Sequence, residues 1–239
     1  MTCTCPCHNQ NIFIMGRNYF GLLNKYILGT NWLKTIRLNF HYFPLKEALR
    51  FPVLVSRRVV LKQLRGGVKV EGPLTTGMLL FGYQGVGFID SYYERTIWDL
   101  TGELTLKGTR IDIGRGSKFC VYGNCYLGNR FSISGRSTII CNNQITFGDN
   151  VLLSWDVLIM DTDFHKIKDA TNLIINNDKA IVVGDNVWIG CRVTVLKGSS
   201  IPSGSVIAAG SLISGKMEKN GCVYTSGNLI IKDNISWER

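Results

Sequence analysis

The sequence predicts a mainly β fold, wound as a coil of short strands, and three observations carry that prediction. From Val183 to Ser214 the aliphatics Val183, Ile189, Val195, Ile201, Ile207 and Ile213 recur every six residues, a period that fits neither a helix nor one long strand. Small side chains recur four places after the aliphatics, at Val187, Val193, Ser199, Ser205 and Ser211. Turn formers fill the gaps, as in Gly184-Asp185-Asn186, Lys197-Gly198 and Ser203-Gly204. The chain therefore turns a corner every six residues and drops one aliphatic inside at each corner.

This stretch resembles the hexapeptide-repeat acyltransferases. The resemblance implies a left-handed parallel β-helix in which three hexapeptides make one triangular coil. The hand comes from the resemblance, because ordinary parallel crossovers are right-handed. On that frame residues 1–52 form a mixed N-terminal segment whose first fifteen or so read as disordered. Residues 53–215 form the β-helix, with loops at 82–96 and 161–180, and residues 216–239 a C-terminal cap.

In chain order, Asn18 to Leu38 reads as short helix or irregular structure. Lys34 to Phe43 alternates loosely and suggests a strand. Leu45 to Arg50 follows Pro44 and reads as a short helix ended by Pro52. Val53 to Val70, rich in Val and Leu before the glycine pairs, reads as the first coil. Gly82 to Thr96 breaks the repeat with glycines and aromatics and is expected to protrude as a loop or hairpin. Its Tyr92 and Tyr93 are candidates to contact a sugar, or to pack on a neighbouring subunit. From Leu104 the repeat returns, with Leu106, Ile113, Phe119, Leu127, Ile133, Ile139, Phe147, Leu153 and Ile159 pointing inward. Slips after Leu106, Phe119 and Ile139 suggest bulged corners. Asp161 to Ala180 leaves the repeat, and Val183 re-enters it 24 residues after Ile159. The segment from Lys216 covers a coil end that would otherwise expose unpaired strand edges.

The 239 residues suffice for a sizeable core. The formal charge of +10 is uneven: eleven Lys/Arg face two acids before Phe81, against sixteen and fifteen afterwards. Such a basic third suits an anionic membrane surface or an acidic substrate. Nucleic acid is set aside because no binding module is recognisable. No apolar run is long enough to span a bilayer, and Met1 to Gln10 does not read as a secretory signal. Five cysteines scattered through the repeats fit a reducing, cytoplasmic setting. Arg50, Arg57, Arg58, Lys62, Arg65 and Lys69, flanked by aromatics, suggest peripheral contact with the inner face of the membrane. Cys3, Cys5, Cys7 and His8 lack the spacing of a metal site, and Met15 is a second candidate start.

Of the three histidines, only His165 lies in the β-helix region, within Asp161-Thr162-Asp163-Phe164-His165. Insertions from one face are where repeat proteins place function, and Asp161 and Asp163 are close enough in sequence to orient an imidazole. Gly148 to His165 followed by Gly184 to Cys191 resembles the maltose/galactoside O-acetyltransferases, and more so the acetyltransferases of capsule, O-antigen and exopolysaccharide clusters. That resemblance implies acetyl-CoA as donor, a sugar or glycan hydroxyl as acceptor, no metal, and a homotrimer with sites between neighbours. A hydroxyl attacks a thioester slowly unless a base removes its proton, and an imidazole with a pKa near ~6.5 suits that role. The resemblance further implies Trp188 beside the acetyl group and the backbone N–H of Cys191 as oxyanion donor. It places the pantetheine arm against Ala208, Ala209 and Gly210, with Arg192, Lys197, Lys216 and Lys219 as candidates for CoA phosphates. Ser134 and Asn142 stand where the galactoside branch has its acceptor-binding Asn and Asp. The branch's C-terminal G-N-P-A-K appears as Gly227-Asn228-Leu229-Ile230-Ile231, without the Pro. Competing readings are an N-acetyltransferase acting on a nucleotide-linked amino sugar, a zinc enzyme of the γ-carbonic anhydrase kind, and a non-catalytic β-helix that binds a partner.

Overall fold

The computed structural model of the protein describes residues 24–90 and 92–238. The cysteine cluster with His8, and Met15, lie outside the described residues. The fold is the left-handed parallel β-helix expected from the sequence. Its first face stacks β1 (Val53–Val55), β4 (Leu79–Phe81), β7 (Ile111–Ile113), β10 (Ser132–Gly135), β13 (Leu152–Trp155), β16 (Trp188–Ile189), β19 (Val206–Ile207), β21 (Val223–Thr225) and β22 (Leu229–Lys232). The second stacks β2 (Val59–Leu64), β5 (Thr96–Leu100), β8 (Lys118–Val121), β11 (Thr138–Cys141), β14 (Leu158–Met160), β17 (Thr194–Leu196) and β20 (Leu212–Ile213). The third stacks β3 (Gly67–Glu71), β6 (Glu103–Lys107), β9 (Asn124–Leu127), β12 (Gln144–Phe147), β15 (Ile181–Val183) and β18 (Ser200–Ile201). Each of the first six coils contributes one strand to each face, and among the described strands only β21 and β22 pair antiparallel.

The period of six sets the core. The first face stacks Ile113, Ile133, Leu153, Ile189 and Ile207 in register, and the second stacks Phe119, Ile139, Ile159, Val195 and Ile213. All of these are buried, as are Val187, Val193, Ser199, Ser205 and Ser211 at the corners. The slips at Phe119 to Leu127 and Ile139 to Phe147 are not bulges. Strands on both sides of that corner are longer, and Val121, Cys125, Cys141 and Ile145 also point inward with unbroken register. The corners between the third and first faces are held by a polar ladder. The N–H of Asn129 donates to Asp149 (2.8 Å), that of Asp149 to Asp185 (2.7 Å) and that of Asp185 to the Ser203 hydroxyl (3.0 Å). Here Gly148 is obligatory, since a Cβ would lie 2.3 Å from the Asp185 carboxylate.

The N-terminal end departs from expectation. Lys34 to Phe43 is not a strand but lies in α1 (Trp32–Tyr42), which Asn31 caps by accepting from the Lys34 N–H at 3.0 Å. Its inward stripe is Thr35, Leu38 and Asn39, two of them polar. Asn39 accepts from the Val53 N–H (3.0 Å) and donates to the Val53 carbonyl (2.7 Å), while Thr35 accepts from the Val55 N–H (3.1 Å). Two side chains thus occupy the place of a preceding strand on the edge of β1. The short α2 (Leu45–Ala48) follows Pro44 as expected. At the other end Tyr224 lies over Ile207, the last inward aliphatic of the first face, and β22 closes the sheet.

Candidate active site

Residues 161–180 leave the coil at the corner between the second and third faces. In earlier coils this corner has a fixed pattern. The N–H groups of Tyr122 and Gly123 both donate to the carbonyl of Cys141, at 2.7 and 2.9 Å. One coil later the chain departs after Met160, and no strand carbonyl follows in that position. The carboxylate of Asp161 replaces it, accepting from the N–H groups of Asn142 (2.7 Å) and Asn143 (2.9 Å). Asp161 is fully buried. The expectation that it orients the imidazole is therefore corrected: both oxygens are engaged in closing the corner. Its carbonyl accepts from the Lys179 N–H (3.2 Å), which closes the neck of the loop.

Asp163 does face the histidine, but through its main chain. The N–H of His165 donates to the Asp163 carbonyl at 2.7 Å, across Phe164 with φ of 57°. This is a tight three-residue turn of the rarer, strained hand. The same carbonyl lies 3.3 Å from His165 Nδ1. With Nδ1–H donating there, Nε2 keeps its lone pair. The Asp163 carboxylate accepts from Lys197 and from Asn176 Nδ2 (2.8 Å), and these two bonds, the lysine's first, hold it below its ordinary pKa. Asn176 also donates to the His165 carbonyl (2.8 Å) and accepts from the Ile167 N–H (2.6 Å). Lys197 adds a bond to the Asn176 carbonyl (2.7 Å). The loop is thereby pinned to the coil around an exposed imidazole. Asn176 and Phe164 were not singled out from the sequence, and no periodicity marks either.

His165 opens on a cavity of about 390 Å³ lined by Asn142, Thr162, Phe164, Lys166, Ile174 and Asn176, among others. Asn142, a substrate candidate, thus shares this cavity with the histidine, and its amide donates to Asp178 at 2.7 Å. Ser134 does not. It lies on the first face, in a separate cavity with Asp112 and Arg110. Tyr92 and Tyr93 lie on the other loop. The Arg58 guanidinium covers the Tyr92 ring at 4.3 Å, and Tyr93 packs edge-on against Tyr92.

The donor candidates gather elsewhere. Cys191, Arg192, Ala208, Ala209 and Gly210 occupy successive corners between the first and second faces, where the Gly210 N–H donates to the Cys191 carbonyl at 2.8 Å. Among the described residues the backbone N–H groups of Cys191 and Ala209 have no acceptor. Trp188 is on the first face, its Nε1 donating to Ser154 Oγ at 3.0 Å and its ring against Trp237, 6.1 Å between centroids. Trp237 in turn donates to the Asn186 carbonyl at 2.7 Å. Trp237 was not singled out from the sequence, and no period marks it in the tail beyond the repeats. The four cations do not form one patch. Lys197 is committed to the histidine loop and Lys219 to Asp233 at 2.5 Å, while Lys216 bridges to Ser200 beside the third face. Within one chain the histidine loop stands on the edge opposite the face that bears Trp188. Among the described residues no three of His, Cys, Asp and Glu converge as a metal site, and no helix is long and apolar enough to cross a membrane.

No family model matches the chain. It is 35% identical over 112 residues to a putative acetyltransferase of Saccharomyces cerevisiae, covering 46% of this chain and 56% of that protein. It is 32% identical over 103 residues to the galactoside O-acetyltransferase of Escherichia coli, covering 41% and 49%. It is 36% identical over 66 residues to a polysialic acid O-acetyltransferase of Neisseria meningitidis, covering 27% and 31%. These matches bear out the likeness to the hexapeptide-repeat acyltransferases. The chain spans about half the length, or less, of the curated relatives it matches.

Proposed function

We propose that this chain, a relative of sugar O-acetyltransferases along its coils, moves an acetyl group from acetyl-CoA to a hydroxyl of a glycan or its sugar precursor. The observation that carries the reading is the presented imidazole: His165 with Nδ1 at the Asp163 carbonyl, on a pinned loop, facing a cavity. In the reaction the acceptor oxygen attacks the thioester carbonyl carbon while His165 Nε2 takes its proton. The carbon–sulfur bond then breaks, and the proton passes to the departing thiolate. The oxyanion between these steps needs a fixed donor, and the unpartnered N–H of Cys191 has the right chemistry.

A single chain separates that N–H and Trp188 from His165, so the reading requires a second copy. The outer side of the second face supports one. Val60, Ile97, Ile140, Leu158, Met160, Leu196 and Leu212 point outward there among Lys62, Lys118, Thr138 and Thr194, whereas the third carries fewer apolar groups, Tyr126 and Val182, among Lys69, Glu103, Asn124, Gln144 and Thr146. Three copies joined through the apolar face would bring each histidine loop to a neighbour's donor edge and give three equal sites. The exposed Trp32, Leu33, Ile36 and Phe40 of α1, beside Arg37, Lys46 and Arg50, support peripheral contact with the anionic inner leaflet.

The test is transfer of labelled acetyl from acetyl-CoA to a panel of hydroxy- and amino-sugars, with sedimentation in parallel. Acetyl ester formed by the wild type, lost in Leu158→Arg together with the trimer and kept in Thr146→Arg, is the expected result. A monomer with full activity overturns the shared site. Transfer to amines alone overturns the O-acetyl reading. Flotation with anionic vesicles at low salt checks the membrane contact, and recovery in the soluble fraction rejects it.

A further inference from the structure

The first face carries a second cavity, of about 380 Å³, lined by Gln84, Arg110, Asp112, Arg130, Ser132, Ser134 and Leu152. Asp112 is the outward residue of β7, in register with Ser132 and so with Leu152 and Trp188. It is nonetheless 96% buried, with a relative exposure of 4%. One of its oxygens, Oδ2, accepts from Arg110 Nε at 3.2 Å. The other, Oδ1, is buried without a partner. A buried carboxylate oxygen is stabilised only when a donor meets it, so a donor belongs there. Because Arg110 meets Asp112 through Nε, its two terminal nitrogens make no hydrogen bond to a described residue. That edge is the planar fork that takes a carboxylate or phosphate by two parallel bonds.

We infer that this cavity is the specificity subsite of the glycan acceptor and that it takes an acidic sugar. The sugar's carboxylate, or a phosphate ester in its place, lies on the Arg110 fork, and one of its hydroxyls donates to Asp112 Oδ1. Gln84, Ser132 and Ser134 supply further polar groups around the ring. Two guanidinium groups beside one carboxylate leave the site cationic, which offsets the repulsion an anionic ligand would meet from Asp112. The inference rests on the proposed transferase reading, since it is the neighbour's His165 that would approach this face. The cavity's Asp112 lies three strands from Trp188, about 14 Å at the usual strand spacing. The subsite therefore reads a sugar unit next to the one acetylated, or the far side of the same unit.

The experiment is calorimetric titration of the full chain with trigalacturonate, its neutral counterpart trigalactose, and a galactose-phosphate, each with and without CoA. Wild type should bind trigalacturonate or the phosphate at least tenfold more tightly than the neutral sugar. Arg110→Ala should abolish that preference, and Asp112→Asn should weaken every sugar alike while the far-ultraviolet spectrum and CoA affinity stay unchanged. The carboxylate and phosphate arms decide which acid the fork prefers. Equal binding of neutral and acidic sugars by the wild type, or a preference that survives Arg110→Ala, overturns the inference. Failure of the transferase reading itself is separate, and would show as no CoA binding in any variant.

Discussion

Two loops interrupt the coils, and they are held in opposite ways. Residues 82–95 leave between the first and second faces and lie back on the coil through apolar contacts. Ile89 is buried, Phe88 packs edge-on against Trp155 at 5.2 Å, and Arg58 covers Tyr92. Of the loop or hairpin expected from the sequence it is the loop, laid back as a packed strap, and no strand forms among its described residues. Residues 161–180 leave between the second and third faces and are held by polar bonds alone at their base: Asp161 to the corner, Lys197 and Asn176 to Asp163. Burial of Ile89 and the ring contacts of Phe88 and Tyr92 lay the first loop on the coil, although Phe88, Tyr92 and Tyr93 stay largely exposed. Polar pins fix the second at a few atoms and leave its imidazole exposed, which suits a group that must meet a substrate.

The comparison can be broken most severely at His165. His165→Ala should lower turnover by about 10²-fold or more while CoA binding is unchanged; steady-state kinetics with calorimetry checks both. The strap should respond in stability instead. Ile89→Ala should cost about 2 kcal/mol or more in denaturant unfolding, with kcat per folded molecule little changed. Acid should separate the loops within one sample. Since the Lys197 and Asn176 bonds depress the Asp163 pKa, their stabilisation is complete above the ordinary carboxylate value of ~3.9 and is lost as pH falls through the lower folded value. Hydrogen-exchange protection across residues 161–180, taken relative to the intrinsic rate at each pH, should therefore fall below about pH 4, while residues 82–95 keep theirs. An equal fall of protection in both would end the distinction. The smallest effect belongs to Tyr93→Ala, an exposed ring at the strap's tip, expected to shift stability by under about 0.5 kcal/mol.

What the sequence disclosed follows from the same contrast. The inward aliphatics were legible because a repeat states its register many times. His165 was legible because it is the only histidine of the coils. The role of Asp161 was hidden: it depends on standing in the register of Cys141 one coil earlier, with the strand that should follow it missing. Helix α1 was misread because Ile36, Leu38 and Phe40 alternate like a strand, while its buried stripe contains Thr35 and Asn39. Those two are polar because they bond an exposed strand edge, and no period announces that. Lys197 looked like an anion ligand because a free lysine and a pinned one are the same letter.

The amide of Asn39 has a consequence beyond the single molecule. A parallel β-helix is a growing lattice by construction: each coil is a template for the next, and nothing in the repeat says where to stop. By bonding both the N–H and the carbonyl of Val53, Asn39 presents the first coil with an imitation of a strand that has no further edge to offer. The first face of the coil stack is thus closed at its start by Asn39, with Thr35 beside it on Val55. With Asn39 shortened, the same template would face outward, and end-to-end fibres of folded molecules would be the natural product.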